Sequence, residues 1–268
     1  MNDSPIGIFD SGMGGLTVMR ALVGRLPGEQ FLYLGDTARL PYGTKSADTV
    51  RRYALQAAHA LTARAVKLVV IACNTASASL PALQQGLSPL PVIGVIEPGA
   101  RAALKVAPQG PIAVIATEGT VKGGAYVRAI HDISQAPVVQ QACPLFVPMA
   151  EEGLTDGPIV EAVAHRYLDP LLTRLPKPRA LVLGCTHYPV LKAVIARVVG
   201  PDVMLVDSAA TTAEEVARLL AERGLAANAK TGEDRFFVTD APDRFARVAE
   251  IFLGSSIDPG LVEQIDLQ

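Results

Sequence analysis

Two of the three cysteines occupy matching places in the chain, and both places suit chemistry. Each cysteine ends a run of apolar residues, is followed by two polar residues, and lies just before an amphipathic stretch. Taken alone, Cys73 is more simply explained as a small buried hydrophobe. The recurrence, 112 residues apart, indicates a duplicated unit that offers one thiol from each half. The two sets are Cys73 with Asn74 and Thr75, and Cys185 with Thr186 and His187.

Two thiols from opposite halves suit few reactions. Disulfide-exchange enzymes usually carry their cysteines close together in sequence, and covalent catalysis needs one thiol with a neighbouring base. Inversion of a stereocentre needs two acid/base groups, because one thiolate removes a proton and the opposite thiol returns one to the other face. A helix start after Cys73 is expected to lower its thiol pKa from about 8.5. His187, two residues from Cys185, could assist its protonation state.

A glycine-rich segment, Asp10–Leu16, follows the first apolar run. Its glycines allow a tight turn into a helix, whose free N–H groups could bind a carboxylate or phosphate. A plain turn capped by Asp10 and Ser11 explains it equally well. The segment is neither the G-x-G-x-x-G dinucleotide fingerprint nor a P-loop, which requires Gly-Lys-Ser/Thr.

The elements that position these residues alternate between short apolar runs and longer amphipathic stretches. Continuous Val, Ile and Leu runs between helices predict an α/β fold with buried parallel strands and helices on both faces. Ligands of such folds bind at the carboxyl ends of strands. The predicted strands are Ile6–Asp10, Phe31–Leu34, Lys67–Cys73, Val92–Ile96, Ile112–Thr117, Val138–Ala142, Ala180–Gly184 and Met204–Asp207. The predicted helices are Leu16–Leu26, Ala47–Ala65, Ala76–Gln85, Ile159–Leu172, Pro189–Val199 and Ala213–Arg223, with a surface loop at 227–235.

Composition excludes several classes of protein. Of 268 residues, 50% are hydrophobic, which disfavours disorder, and the net charge of −2 disfavours a nucleic-acid binder. No apolar run reaches the roughly 20 residues of a membrane span, and the N-terminus lacks signal-peptide character, so we expect a cytoplasmic protein. Three cysteines without a CxxC pair, and four scattered histidines, predict neither a disulfide framework nor a metal site. Three lysines, Lys67, Lys105 and Lys122, are interpreted as solvated charges, and no pyridoxal lysine is identifiable.

These motifs together resemble the cofactor-independent aspartate/glutamate racemase superfamily. The resemblance runs over essentially the whole chain, and the Asp-Ser-Gly-x-Gly-Gly opening points to the glutamate branch. The residues that carry it are Phe9–Leu16, Gly35-Asp36 with Pro41–Gly43, Ala72–Ala76, Cys143–Pro148 followed by Glu151, and Gly184–Pro189.

The resemblance implies two similar α/β domains, each a mostly parallel sheet flanked by helices, with the active site in the cleft between them. We place the first domain at 1–96 plus 208–268 and the second at 97–207. It implies no cofactor, a glutamate substrate, D-glutamate supply for peptidoglycan biosynthesis, and commonly a homodimer. Nothing in it points to a nucleic acid or a membrane as partner.

The resemblance also assigns roles to single residues. Cys73 and Cys185 are the implied acid/base pair, Cys73 acting on the D-isomer and Cys185 on the L-isomer. Asp10 and His187 are implied as their respective polar assistants, and Glu151 as a further catalytic carboxylate, although the adjacent Glu152 could hold that place instead. Cys143 is expected to pack. The implied substrate-binding residues are Asp10, Ser11, Tyr42, Gly43, Asn74, Thr75, Thr186 and His187.

Two other readings of the function stay open. A racemase of another amino acid such as aspartate, a hydantoin racemase, or a dicarboxylate isomerase would use the same scaffold. A non-catalytic binding protein would keep the fold, but the presence of both cysteines argues against it.

Overall fold

The computed structural model describes residues 3–173 and 176–267, which form two parallel β-sheets with helices on both faces. The α/β class predicted from the sequence is confirmed. The strands are β1 (Ile6–Asp10), β2 (Phe31–Gly35), β3 (Leu68–Ile71), β4 (Val92–Gly94), β5 (Ile112–Ala116), β6 (Val138–Ala142), β7 (Ala180–Gly184), β8 (Met204–Asp207), β9 (Arg235–Val238) and β10 (Val262–Gln264). The α-helices are α1 (Leu16–Arg25), α2 (Ala47–Thr62), α3 (Asn74–Ser77), α4 (Leu80–Gly86), α5 (Ile96–Val106), α6 (Glu118–Gly123), α7 (Ala125–His131), α8 (Phe146–Glu151), α9 (Pro158–Leu172), α10 (Lys192–Val199), α11 (Ser208–Glu222) and α12 (Pro242–Leu253). Short 3-10 helices lie at Tyr42–Thr44, Tyr188–Leu191 and Pro259–Leu261.

The two sheets repeat one strand order. The first runs β10-β9-β2-β1-β3-β4 and the second β6-β5-β7-β8, and the neighbouring strands are parallel. The core of the first sheet, β2-β1-β3-β4, therefore has the same order as the whole second sheet. Cys73 follows β3 and Cys185 follows β7, so the duplication inferred from the recurring cysteines is confirmed at the level of topology.

Each sheet lies between two apolar layers. We call the six-stranded sheet with α1–α4, α11 and α12 the first lobe, and the four-stranded sheet with α5–α10 the second lobe. In the first lobe, residues of α1, α11 and α12 pack on one face, and residues of α2 and α4 on the other. In the second, α8, α9 and α10 pack on one face and α5 and α7 on the other. The predicted division into domains, with boundaries at 96/97 and 207/208, stays a prediction.

Several predicted elements differ from the observed ones. The predicted helix Ala76–Gln85 is broken into α3 and α4, and α11 begins at Ser208 because the Asp207 side chain accepts the N–H of Ala209, 2.9 Å away. Helices α5–α8 and α12 were not predicted. Strands β9 and β10 were also missed, because they are short and carry exposed charged residues. The predicted loop 227–235 is a loop as far as Asp234, and its last residue begins β9.

Lys67 corrects another prediction. The sequence predicts a solvated charge, but the ammonium group is buried just before β3 and pairs with the buried Glu29 carboxylate at 2.5 Å. The other oxygen of Glu29 accepts the backbone N–H of Ala227 at 2.8 Å, from the segment before β9. The buried pair therefore joins the edge of β3 to the C-terminal part of the first lobe.

We predict that Lys67→Met lowers the free energy of unfolding by about 3–5 kcal/mol, because it leaves the Glu29 carboxylate buried beside an apolar chain. Urea denaturation at pH 7 measures the loss. The double variant Lys67→Met/Glu29→Gln keeps an oxygen for the N–H of Ala227 and removes the unpaired charge, so it should recover most of the loss. A double variant as unstable as the single one would contradict this account.

All three cysteines are free and buried, in agreement with the absence of a predicted disulfide framework. Among the described residues, no group of three or more His, Cys, Asp or Glu side chains is arranged to hold a metal ion. Over the same residues, no helix is long and apolar enough to cross a membrane.

Candidate active site

Two strand ends of the first lobe and one of the second meet between the lobes. Asp10 ends β1, Cys73 follows β3, and Cys185 follows β7. Asp10 is fully buried and both thiols are only 5% exposed. Burial, then the charge of Asp10 and, to a smaller extent, the nearby Cys185 raise the pKa of Cys73, so the three groups share one poorly hydrated site. The sequence-predicted pair of thiols is therefore brought together from opposite lobes.

Cys73 caps the first turn of α3. Its sulfur accepts the backbone N–H of Ala76 at 3.5 Å and lies 3.4 Å from the Ser11 hydroxyl. These contacts favour a thiolate, as the sequence predicted, but burial outweighs them. Burial and the charge of Asp10 raise the pKa of Cys73 to about 12. The expectation of a lowered thiol pKa is therefore wrong, and Cys73 is protonated at neutral pH.

Asp10 faces this thiol from the end of β1. One carboxylate oxygen accepts the N–H of Gly12 at 3.0 Å, and the other, Oδ1, is buried without a hydrogen-bond partner. Burial raises the pKa of Asp10, although the nearby His187 and the backbone N–H groups of the glycine-rich turn oppose the shift. Asp10 therefore holds an unfilled acceptor close to the thiol of Cys73.

Cys185 has a different neighbourhood, built by three segments. Its sulfur lies 3.9 Å from Nδ1 of His187, and Nε2 of the same ring lies 3.2 Å from Oε1 of Glu151. Glu151 also accepts from Arg244 of α12 at 3.2 Å. Burial lowers the pKa of His187, but the hydrogen bonds to Cys185 and Glu151 outweigh it and raise the pKa to about 10. A protonated imidazole therefore stands beside Cys185 at neutral pH.

The structure shows which of two adjacent glutamates, Glu151 or Glu152, faces the site. Glu151 is 12% exposed and faces His187, whereas Glu152 caps α8 and is exposed to solvent. Burial raises the pKa of Glu151, but His187 and Arg244 outweigh it and lower the pKa below its ordinary value. Glu151 is therefore the residue in contact with the site.

A group of hydroxyl and amide side chains lies beside Cys73. The hydroxyl of Thr75 lies 3.0 Å from that of Thr117 and 3.1 Å from that of Thr120, both at the start of α6 in the second lobe. Asn74 accepts from Tyr126, and its Nδ2 group is buried without a partner. These groups offer several donors that a carboxylate could accept from.

Tyr42 and Gly43 lie at the rim of the site in the 3-10 helix after β2. The Tyr42 ring is buried, and its hydroxyl donates to the Asp36 carboxylate rather than into the site. A Cβ on Gly43 would lie 2.7 Å from Cβ of Thr117. Gly43 can therefore contribute only backbone groups to the site, and this backbone lies directly against the second lobe.

The glycine-rich turn approaches the second lobe equally closely. A Cβ on Gly14 would overlap the His187 ring and lie 2.5 Å from the Thr186 hydroxyl oxygen. The Thr17 hydroxyl contacts the carbonyl oxygens of both Gly14 and Thr186 at 2.9 Å. Thr186 and His187 are therefore held against the turn that carries Asp10 and Ser11.

Sequence reasoning missed several residues of this site. Thr117 directly follows β5, so the rule that functional groups lie at strand ends could have found it. Thr17, Thr120, Tyr126 and Arg244 lie inside helices, where no local signal distinguishes them. As a whole, the site brings one protonated thiol from the first lobe and one histidine-paired sulfur from the second into a buried, donor-rich region where the lobes meet.

Known proteins resemble this chain along its whole length. A family model described as Asp/Glu/Hydantoin racemase matches residues 6–216. A glutamate racemase of Geobacter metallireducens is 52% identical, over 98% of this chain and 97% of the relative. The crystal structure of a glutamate racemase from Francisella tularensis in complex with D-glutamate has a TM-score of 0.92 and 40% identity, covering 100% of this chain and 99% of that one. A glutamate racemase isoform from Bacillus anthracis has a TM-score of 0.94 and 40% identity, with the same coverage. The chain therefore belongs to the Asp/Glu/hydantoin racemase family.

Proposed function

We propose that this enzyme interconverts L-glutamate and D-glutamate, without a cofactor, by proton transfer at Cα, with its two buried thiols as the acid and the base. The observation that carries the proposal is the placement of Cys73 and Cys185 at equivalent strand ends of opposite lobes, both buried where the lobes meet. Glutamate as substrate is supported by the names of the relatives, one of which was solved with D-glutamate.

The protonation states of Cys73 and His187 support one role for each cysteine in the conversion of L-glutamate. Cys73, with a pKa of about 12, is an acid at neutral pH, and the protonated His187 stabilises negative charge on the sulfur of Cys185. The Cys185 thiolate takes the Cα proton of L-glutamate, and the Cys73 thiol gives its proton to the opposite face. When D-glutamate leaves, Cys185 is the thiol and Cys73 the thiolate. The same steps in reverse convert the D-isomer into the L-isomer.

The surroundings must stabilise charge on a weakly acidic carbon. Backbone and side-chain donors fixed before the reaction stabilise a developing carbanion best where water is excluded. The unpartnered Nδ2 of Asn74 and the hydroxyls of Ser11, Thr75 and Thr186 can bind the substrate carboxylates, as can the backbone around Tyr42 and Gly43. The unfilled oxygen of Asp10 can accept from the substrate ammonium. Glu151 keeps His187 charged.

Aspartate is the alternative substrate. It is one methylene shorter, and a difference of one methylene is worth about 10–200-fold in specificity. The relatives above are glutamate racemases, which favours glutamate. A cytoplasmic location, D-glutamate supply for peptidoglycan and a homodimer stay predictions.

The first test is circular dichroism of the purified enzyme with L-glutamate, a reducing agent and no added cofactor. The signal should decay to zero, because the enantiomers have equal free energies, and kcat/KM should be equal in the two directions. The circular dichroism signal of L-aspartate in a parallel cell should decay much more slowly. Faster decay with aspartate would change the substrate, and a flat signal with both would overturn the racemase proposal.

Removal of either thiol should stop racemisation. Cys73→Ser and Cys185→Ser should each lower kcat by at least about 10²–10⁴-fold, the usual contribution of one acid/base group. Cys143→Ala is the matched control, since Cys143 is a third buried cysteine that packs in the core of the second lobe, with its carbonyl bound by Tyr188. In deuterium oxide, early product should carry deuterium at Cα while unreacted substrate does not. Full turnover in both serine variants would contradict the two-thiol mechanism.

The alkaline limb of the pH profile should depend on Glu151. Its carboxylate helps to raise the pKa of His187 to about 10, so Glu151→Gln should lower that pKa and shift the fall of kcat/KM to lower pH. Glu152→Gln, at the exposed neighbour, is the control. The substrate ammonium titrates identically in both variants, so a difference between them reports on the enzyme. Superimposable profiles would show that Glu151 does not act through His187.

A further inference from the structure

Tyr126 connects the two lobes at the site. It lies on α7 of the second lobe and is fully buried, and its hydroxyl donates to Oδ1 of Asn74 at 2.7 Å. Asn74 belongs to the first lobe and directly follows Cys73. This hydrogen bond therefore reaches from one lobe to the residue beside the thiol of the other.

The ring of Tyr126 also packs against the segment that carries the other thiol. A Cβ on Gly184, the residue before Cys185, would lie 3.0 Å from a ring carbon of Tyr126. A Cβ on Gly99 of α5 would lie 3.3 Å from the same ring. Two glycines thus make room for the ring, and one side chain contacts both cysteine-bearing segments.

The hydrogen bond settles which way the Asn74 amide faces. An asparagine offers an oxygen that accepts and an NH2 group that donates. Since the oxygen is taken by Tyr126, the NH2 group is the end left over, and it is buried with no partner. A carboxylate only accepts hydrogen bonds, so this unpaired donor matches it.

We propose that Tyr126 is a positioning residue, which holds the Asn74 amide with its NH2 group towards a carboxylate of the substrate. Its ring fixes this donor relative to the strand end of Cys185. Substrate specificity for a carboxylate at this point then depends on a residue that does not touch the substrate. The inference rests on the proposed function, because it takes Asn74 as a substrate-binding residue.

The test is Tyr126→Phe, which deletes the hydroxyl and leaves the ring. Without the hydroxyl that donates to its oxygen, the Asn74 amide can rotate. KM should therefore rise about tenfold, with a much smaller change in kcat, as expected for a lost binding contact. Tyr167→Phe is the matched control, because the hydroxyl of this buried tyrosine of the same lobe accepts from the backbone N–H of Leu145 and has no bond to a residue of the candidate site among the described residues. It should leave KM unchanged.

A double-mutant cycle separates positioning from general destabilisation. Asn74→Ala should raise KM by a similar factor, and adding Tyr126→Phe should raise it no further, because the hydroxyl then has no amide to hold. Asn74→Asp keeps an acceptor for Tyr126 but replaces the donor with a negative charge, so it should raise KM by more than Tyr126→Phe does.

The outcomes distinguish this inference from the proposal beneath it. An unchanged KM in both Asn74→Ala and Asn74→Asp would overturn the role of Asn74 in substrate binding, while turnover by the wild type would leave the racemase function standing. A raised KM in the Asn74 variants with an unchanged KM in Tyr126→Phe would overturn the positioning role alone. Additive effects in the cycle would also overturn it, since they would show a structural role.

Discussion

The close approach of the two lobes at their strand ends is the constraint on which the rest of the structure depends. At Gly14 and Gly43 the backbone of the first lobe lies so near the second that a Cβ would overlap its side chains. The Thr17 hydroxyl, within hydrogen-bond distance of carbonyl oxygens on both sides, reinforces this approach. Because so little room is left for water, the ionisable groups between the lobes interact strongly with one another.

Burial has different effects on the two cysteines, although they follow equivalent strands of the two sheets. Cys73 and Cys185 follow equivalent strands, yet one has an acidic neighbour and the other a histidine supported by Glu151. Burial next to a negative charge favours the thiol, and a neighbouring positive charge favours negative charge on sulfur. Two sulfurs with opposite electrostatic neighbourhoods therefore arise from a repeated unit by the exchange of a few neighbours. A reaction that needs one proton donor and one acceptor on opposite faces suits this difference.

Residues outside the cysteine motifs complete the arrangement. Arg244 of α12 binds Glu151, and Phe252 of the same helix packs its ring edge-on against His187, with centroids 5.0 Å apart. This helix lies beyond the residues matched by the family model, 6–216. Tyr126, on α7 of the second lobe, likewise contacts the cysteine-bearing segments, at Asn74 and Gly184. The protonation state of His187 and the orientation of Asn74 therefore depend on helices of both lobes being packed together.

The sequence by itself determined the α/β class, four strands to the residue, the duplication, and the short segments that hold the thiols. These follow from local patterns: apolar runs of strand length, glycines at a turn, and a polar residue after each run. It also placed Asp10, Ser11 and His187 at strand ends, where parallel sheets bring side chains together.

Only the tertiary structure decided how these groups behave. The pKa of Cys73 moves in the direction opposite to that expected from its helix start, because burial and Asp10 outweigh two hydrogen bonds. Lys67 looks like a surface charge in sequence and is buried against Glu29, which is 38 residues away along the chain. Tyr126 and Arg244 meet the site only after the lobes pack. Burial and long-range contact are properties of the folded chain, so no local pattern of residues could have specified them.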